Sequence, residues 1–122
     1  MSRDDLTPAQ LNEWLLTLSK ELGDALDECR QAAAAAARAD TNYKRAWSHA
    51  FLQAEGPVRA REVMADAETL DEREQAKTSE ARSRSADLAV RSRMAQLNAL
   101  QSVSASVRQE HRWGQAGPEV DG

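Results

Sequence analysis

The chain has 122 residues, of which 41% are apolar, 4% aromatic and 30% Asp, Glu, Lys or Arg, with a formal net charge of −4. That length holds one domain at most, and the scarcity of large side chains argues against a compact core. Abundant Ala, Arg, Glu and Leu is instead the composition of long helices and coiled coils. The single cysteine, Cys29, excludes an internal disulfide and gives no sign of an oxidising compartment. No stretch approaches the ~20 apolar residues of a membrane-spanning helix. The polar start Met1-Ser2-Arg3-Asp4-Asp5 lacks the apolar run of a signal peptide. The expected setting is therefore the cytoplasm, with no membrane partner.

The first helix has a marked beginning. Thr7-Pro8-Ala9-Gln10 offers an N-cap hydroxyl, a proline at the first helical position and a glutamine at the third, the pattern of a capping box. Leu6 and Leu11 flank it at the spacing of a hydrophobic staple. Beyond Pro8 the only glycine before residue 56 is Gly23, and one interior glycine costs about 1 kcal/mol relative to alanine. Apolar residues recur at Leu11, Leu15, Leu18, Leu22, Ala25, Cys29, Ala32, Ala36, Ala39 and Tyr43. Their alternating steps of four and three are a heptad seam. The expected helix runs from 8 to about 54.

Gly56-Pro57 is the break, because glycine suits a helix C-terminus and proline starts a helix but cannot continue one. A second helix is expected from about 57 to Trp113, stopped by Gly114, Gly117 and Pro118, with a disordered tail over 114–122. Its seam reads Val63, Ala67 and Leu70, then only Ala76, Ala81 and Ala86, and resumes at Leu88, Met94, Leu97, Leu100, Val103 and Val107. Folded back at residue 56, position i falls beside position 112 − i. The alanine run 32–37 then meets the stretch 75–80 that lacks large residues, and Leu11–Leu22 meet 90–101.

The expected fold is all-α, a long antiparallel two-helix hairpin of coiled-coil type. Trp14, Leu16, Leu26 and Val103 lie off any single a/d line, which points to hairpins pairing as homodimers or higher assemblies in a four-helix bundle. The expected oligomer interface is Leu11, Trp14, Leu15, Leu18, Leu22, Met94, Leu97 and Leu100.

Catalytic chemistry finds no foothold in the sequence. His49 and His111 fall near opposite ends of the folded chain. Neither follows a glutamate at Glu-x-x-His spacing, since Ala46 precedes His49 and Arg108 precedes His111. Cys29 lies on the seam as a small hydrophobe. Asp24, Asp27 and Glu28, or Asp71, Glu72 and Glu74, read as solvated faces. No phosphate loop and no Ser-His-Asp logic is present. The expectation is a non-enzyme with no metal and no cofactor.

Charge is unevenly placed. Residues 57–76 carry 3 bases and 6 acids, whereas residues 77–112 carry 7 bases and 3 acids. Lys77, Arg82, Arg84, Arg91 and Arg93 are the candidate nucleic-acid contacts, with Lys77, Arg84 and Arg91 on one line seven residues apart. Such a line can track a phosphate backbone. The aromatic platforms that bind single strands are missing, with Trp113 alone nearby.

Two families can be set against these residues. The turn Gln53-Ala54-Glu55-Gly56-Pro57 lacks the Trp-x-Gly of the secreted helical-hairpin family, and Trp47 rather than an acid stands four residues after Tyr43. The second comparison fits better. Tyr43-Lys44 with Ala46, the glycine turn at 56, and an Ala/Glu/Arg-rich helix ending in Leu97, Ala99, Leu100, Gln101 and Ser102 resembles small helical-hairpin proteins of bacteriophage early regions over about residues 40–112. The resemblance implies a phage-encoded accessory of DNA recombination or replication, or a binder of a host factor, acting in the host cytoplasm. Three functional readings stand at this point: a protein–protein interaction module, a sequence-independent nucleic-acid accessory using the basic stretch 77–112, and a structural coiled-coil tether with a tip at Trp47, Phe51 and Val58.

Overall fold

A computed structural model describes residues 6–120, with side chains throughout that range except at 111 and 115–120. The protein is all-α: α1 spans Pro8–Gln53, α2 Val58–Glu68 and α3 Leu70–Val120, with no strand among the described residues.

The start of α1 is a reciprocal cap. The Thr7 backbone N–H donates to Gln10 Oε1 at 2.9 Å, and the Gln10 N–H donates to Thr7 Oγ1 at 3.2 Å. Two amides that the helix itself leaves without acceptors are thereby satisfied. At its other end α1 carries no basic residue in the last turn. The chain reverses through Gly56, whose φ of +109° lies in the region that favours glycine. Extended Pro57 (φ −63°, ψ 156°) then leads into α2.

Arg61, one turn into α2, donates from Nε and Nη2 to the Phe51 carbonyl oxygen at 3.2 and 3.1 Å. Its guanidinium also lies 4.3 Å from the centroid of the Phe51 ring. The cation that suits the negative end of a helix is thus supplied to α1 by the following helix. Phe51 stacks on Trp47, with centroids 5.3 Å apart and planes at 11°, and the Trp47 Nε1–H donates to Asp66 at 2.8 Å.

The single second helix expected over 57–113 is interrupted at Thr69. There the backbone sits at φ −114°, ψ 23°. The hydrogen-bond ladder nevertheless passes through. Thr69 N–H donates to Ala65 O at 3.2 Å, and Arg73 N–H donates to Thr69 O at 3.0 Å. The Thr69 hydroxyl donates to the same Ala65 carbonyl at 2.7 Å. Threonine back-bonding of this kind draws a carbonyl away from ideal geometry and bends a helix. Buried Thr69 therefore marks a local distortion rather than a loop.

A second difference lies at the far end. The tail expected to be disordered from Gly114 is helical as far as Val120, while residues 121–122 lie outside the described range. Gly114 does not take the left-handed conformation of a glycine helix stop, so it leaves α3 uninterrupted.

The chain divides into two compact units, one formed by the chain up to Leu26 and from Ala89 onward, the other by Asp27–Leu88. In the first, Leu11, Leu18, Leu100 and Val107 form a buried cluster, with Leu6, Leu15, Leu97 and Val103 packed against it. In the second, the buried residues are Ala39, Ala50, Ala65 and Thr69.

Every seam position expected in α1, from Leu11 to Tyr43, is buried or half-buried. The seam expected beyond the turn needs correction. Ala76, Ala86, Leu97, Leu100, Val103 and Val107 are buried or half-buried as expected, but Val63, Ala67, Leu70, Ala81, Leu88 and Met94 are exposed, and the inward side also carries Ala65, Thr69, Glu72, Ser79, Ser83 and Val90. Opposite a run of alanines, small side chains allow close helix approach, and the large aliphatic residues point away from it.

Candidate functional site

The feature with most recognition potential is in the leucine unit. An open groove of about 620 Å³ is lined by Leu6, Trp14, Leu18, Ala99, Leu100 and Val103, with Thr17 and Gln96 among its polar walls. Sequence spacing explains how α1 builds one side. Trp14 and Leu18 are four apart and share a face, while Leu6 is held next to them by the capping box. The α3 side comes from Ala99, Leu100 and Val103, where the small Ala99 leaves room between larger neighbours. Leu18 and Leu100 are buried and form the floor, whereas Trp14 remains 50% exposed at the edge. Glu21 and Arg93 also line the groove and form an ion pair across it at 3.4 Å, with Arg93 also donating to Gln96 Oε1 at 3.3 Å.

The eight residues expected at an oligomer interface therefore separate into different roles. Leu11, Leu18 and Leu100 belong to the unit's own core, and Leu15, Leu22 and Leu97 are half-buried. Trp14 and Met94 stay open to a partner. Ala99 and Val103 join Trp14 in the groove. Val103 is marked in the sequence as one of the large apolar residues of the second helix, while nothing in the sequence distinguishes Ala99 from the other alanines.

The five basic candidates do not form one uniform surface. Lys77, Arg82, Arg84 and Arg91 are exposed, whereas half-buried Arg93 is engaged by Glu21 and Gln96. Arg82 shares a shallow depression with Asp71 and Glu74, and Arg84 shares one with Cys29 and Asp87. Acidic neighbours thus accompany Arg82, Arg84 and Arg93, three of the five cations. At the turn, the Trp47 and Phe51 rings are taken up by their mutual stack, by Asp66 and by Arg61, leaving Val58 and Leu52 exposed.

Among the described residues, the pKa shift that stands out lies on the surface. Lys44 Nζ donates to Asp40 at 2.9 Å, and that hydrogen bond and the carboxylate's charge raise the ammonium above its ordinary 10.5. Among the described residues no three His, Cys, Asp or Glu side chains are grouped to hold a metal ion, and no helix is long and apolar enough to cross a membrane. His49 is exposed, and the side chain of His111 lies outside the described residues. No protein-family model, curated protein or solved structure matches the chain.

Proposed function

We propose that this chain is a non-enzymatic interaction protein, a hairpin folded back at Gly56-Pro57 that assembles through its leucine-rich end and offers a further face to a protein partner. The observation that carries this reading is the groove beside Trp14. An exposed indole next to an apolar groove, over a floor held by the unit's own core, is the arrangement of a recognition hot spot.

The hairpin is supported by pairings inside each unit. Arg61 meets Phe51 where folding at residue 56 puts it. Asp66 meets Trp47 one residue from the expected Ala65, and Arg93 meets Glu21 two residues from the expected Arg91. Two copies laid groove to groove place Trp14 of each against the other and give a four-helix bundle. The likeness to phage early-region proteins makes a recombination or replication protein, or a host factor, the natural partner, met in the host cytoplasm.

Light scattering and circular dichroism on the full chain test the reading. Trp14→Asp is expected to lower the assembly mass with helicity intact, because Trp14 is half exposed. Leu18→Asp or Leu97→Asp is expected to cost both mass and helicity, because these side chains sit in or against the core. An unchanged mass for Trp14→Asp sinks the assembly claim. The rival nucleic-acid reading draws on exposed Lys77 and Arg84 at seven-residue spacing, and it requires retardation of DNA at low salt that fades steeply as salt rises.

A further inference from the structure

The geometry points to a second self-association surface: the outward face of α2 and α3 within Asp27–Leu88, on which another copy of this chain docks antiparallel about a two-fold axis between Gln75 and Ala76. It is a different face from the Trp14 groove and does not rest on that groove's role.

Val63, Leu70 and Leu88 are 53%, 59% and 63% exposed. They are not scattered. With Ala81 they follow one another by seven, eleven and seven residues, close to two, three and two turns at ~3.6 residues per turn, so they form one line along α2 and α3, whose hydrogen-bond ladder continues through Thr69. That line is opposite the inward side of Ala65, Thr69, Ala76 and Ser83. From Val63 to Leu88 it covers about 38 Å at ~1.5 Å per residue. A single exposed aliphatic residue needs no explanation, but a long ordered row of exposed aliphatic residues is the mark of a surface that becomes covered.

What covers it follows from the pattern's own symmetry. Val63 and Leu88 are equally distant from the point between Gln75 and Ala76, as are Leu70 and Ala81, and Glu74 and Lys77. An antiparallel second copy therefore places Val63 on Leu88, Leu70 on Ala81 and Glu74 on Lys77, each twice. Charge agrees. Residues 62–74 bear six acids and one base, whereas residues 77–88 bear three bases and two acids. Antiparallel docking lays the acidic half on the basic half, while a parallel, in-register partner lays acid on acid. One chain thus supplies both matching surfaces, the requirement for an isologous dimer.

The test uses the full chain carrying Trp14→Asp, or Trp14→Ala should the first lose helicity, so that any remaining dimer belongs to this face. A dimer is expected by light scattering at about 100 µM protein in low salt, loosening as salt screens its charges. Adding Leu70→Asp should give a monomer. Glu74→Lys and Lys77→Glu should each weaken association about tenfold, since each creates two like-charge contacts, and the two together should restore it to within about threefold. Circular dichroism should be alike in all of them, because these positions are exposed. A monomer in the Trp14 background, or a double exchange no tighter than either single one, overturns the proposal. So does a chain that stays monomeric yet binds a basic helical peptide, which would assign the face to a different partner.

Discussion

The two units hold their helices together by different means. Between Leu6 and Leu26, and from Ala89 onward, large side chains meet: Leu11 is fully buried and Leu18, Leu100 and Val107 close around it. Between Asp27 and Leu88 the buried residues are alanines and one threonine, and specific polar contacts fix the geometry. In the first unit, stability comes from apolar area removed from water. In the second, each alanine removes little area, and closeness of the backbones together with the turn's hydrogen bonds replaces it. The lesson is that helices of one chain can pack in two modes, and that side-chain size has opposite meanings in the two regions.

Removing volume should hurt the leucine unit most. Leu11→Ala is expected to cost about 2–5 kcal/mol in urea unfolding, as for other fully buried leucines. Hydrogen exchange should quicken first in residues 8–26 and 89–110. Adding volume should hurt the alanine unit instead. Ala65, fully buried, has no room for a branched side chain, so Ala65→Leu is expected to cost about 1–3 kcal/mol, whereas Leu at exposed Ala67 should cost almost nothing. If Ala65→Leu were neutral, the contrast between the units would fail. A smaller effect should come from Arg61→Met, which keeps a long apolar stem but removes the charge. A loss of about 1–2 kcal/mol is expected from the hydrogen bonds to Phe51 O and the contact with its ring, seen as earlier thermal unfolding by circular dichroism.

These experiments bear on what could be read in advance. The α1 seam is legible because leucine, alanine and Cys29 mark the seam positions from Leu11 to Ala39 at heptad spacing, and the cap at Thr7 is legible because its residues are local to one another. Just beyond Gly56 the largest apolar residues, Val63, Leu70 and Leu88, lie on the outer side. The true inward positions there, such as Thr69, Ser79 and Ser83, are small or polar, so hydrophobic periodicity cannot mark them. The requirement for small residues comes from the opposing alanine run, a long-range relation. The bend at Thr69 was hidden for a related reason. Threonine is an ordinary helix resident until burial directs its hydroxyl to the preceding turn. In the groove, Trp14 was conspicuous and Ala99 was not, because a gap is made by what a residue lacks.

Arg61 has a consequence for how the chain assembles itself. Its guanidinium reaches a carbonyl only ten residues earlier in the chain, whereas the contacts of the leucine cluster join residues near opposite ends. Closing a loop costs more chain entropy as it lengthens. The clasp at the bend is therefore the cheapest tertiary contact to make, and it completes the end of α1 with a charge that helix does not carry itself. A nascent chain has this clasp available as soon as Arg61 emerges, long before Leu100 exists, and the later pairings inherit a start point already in register.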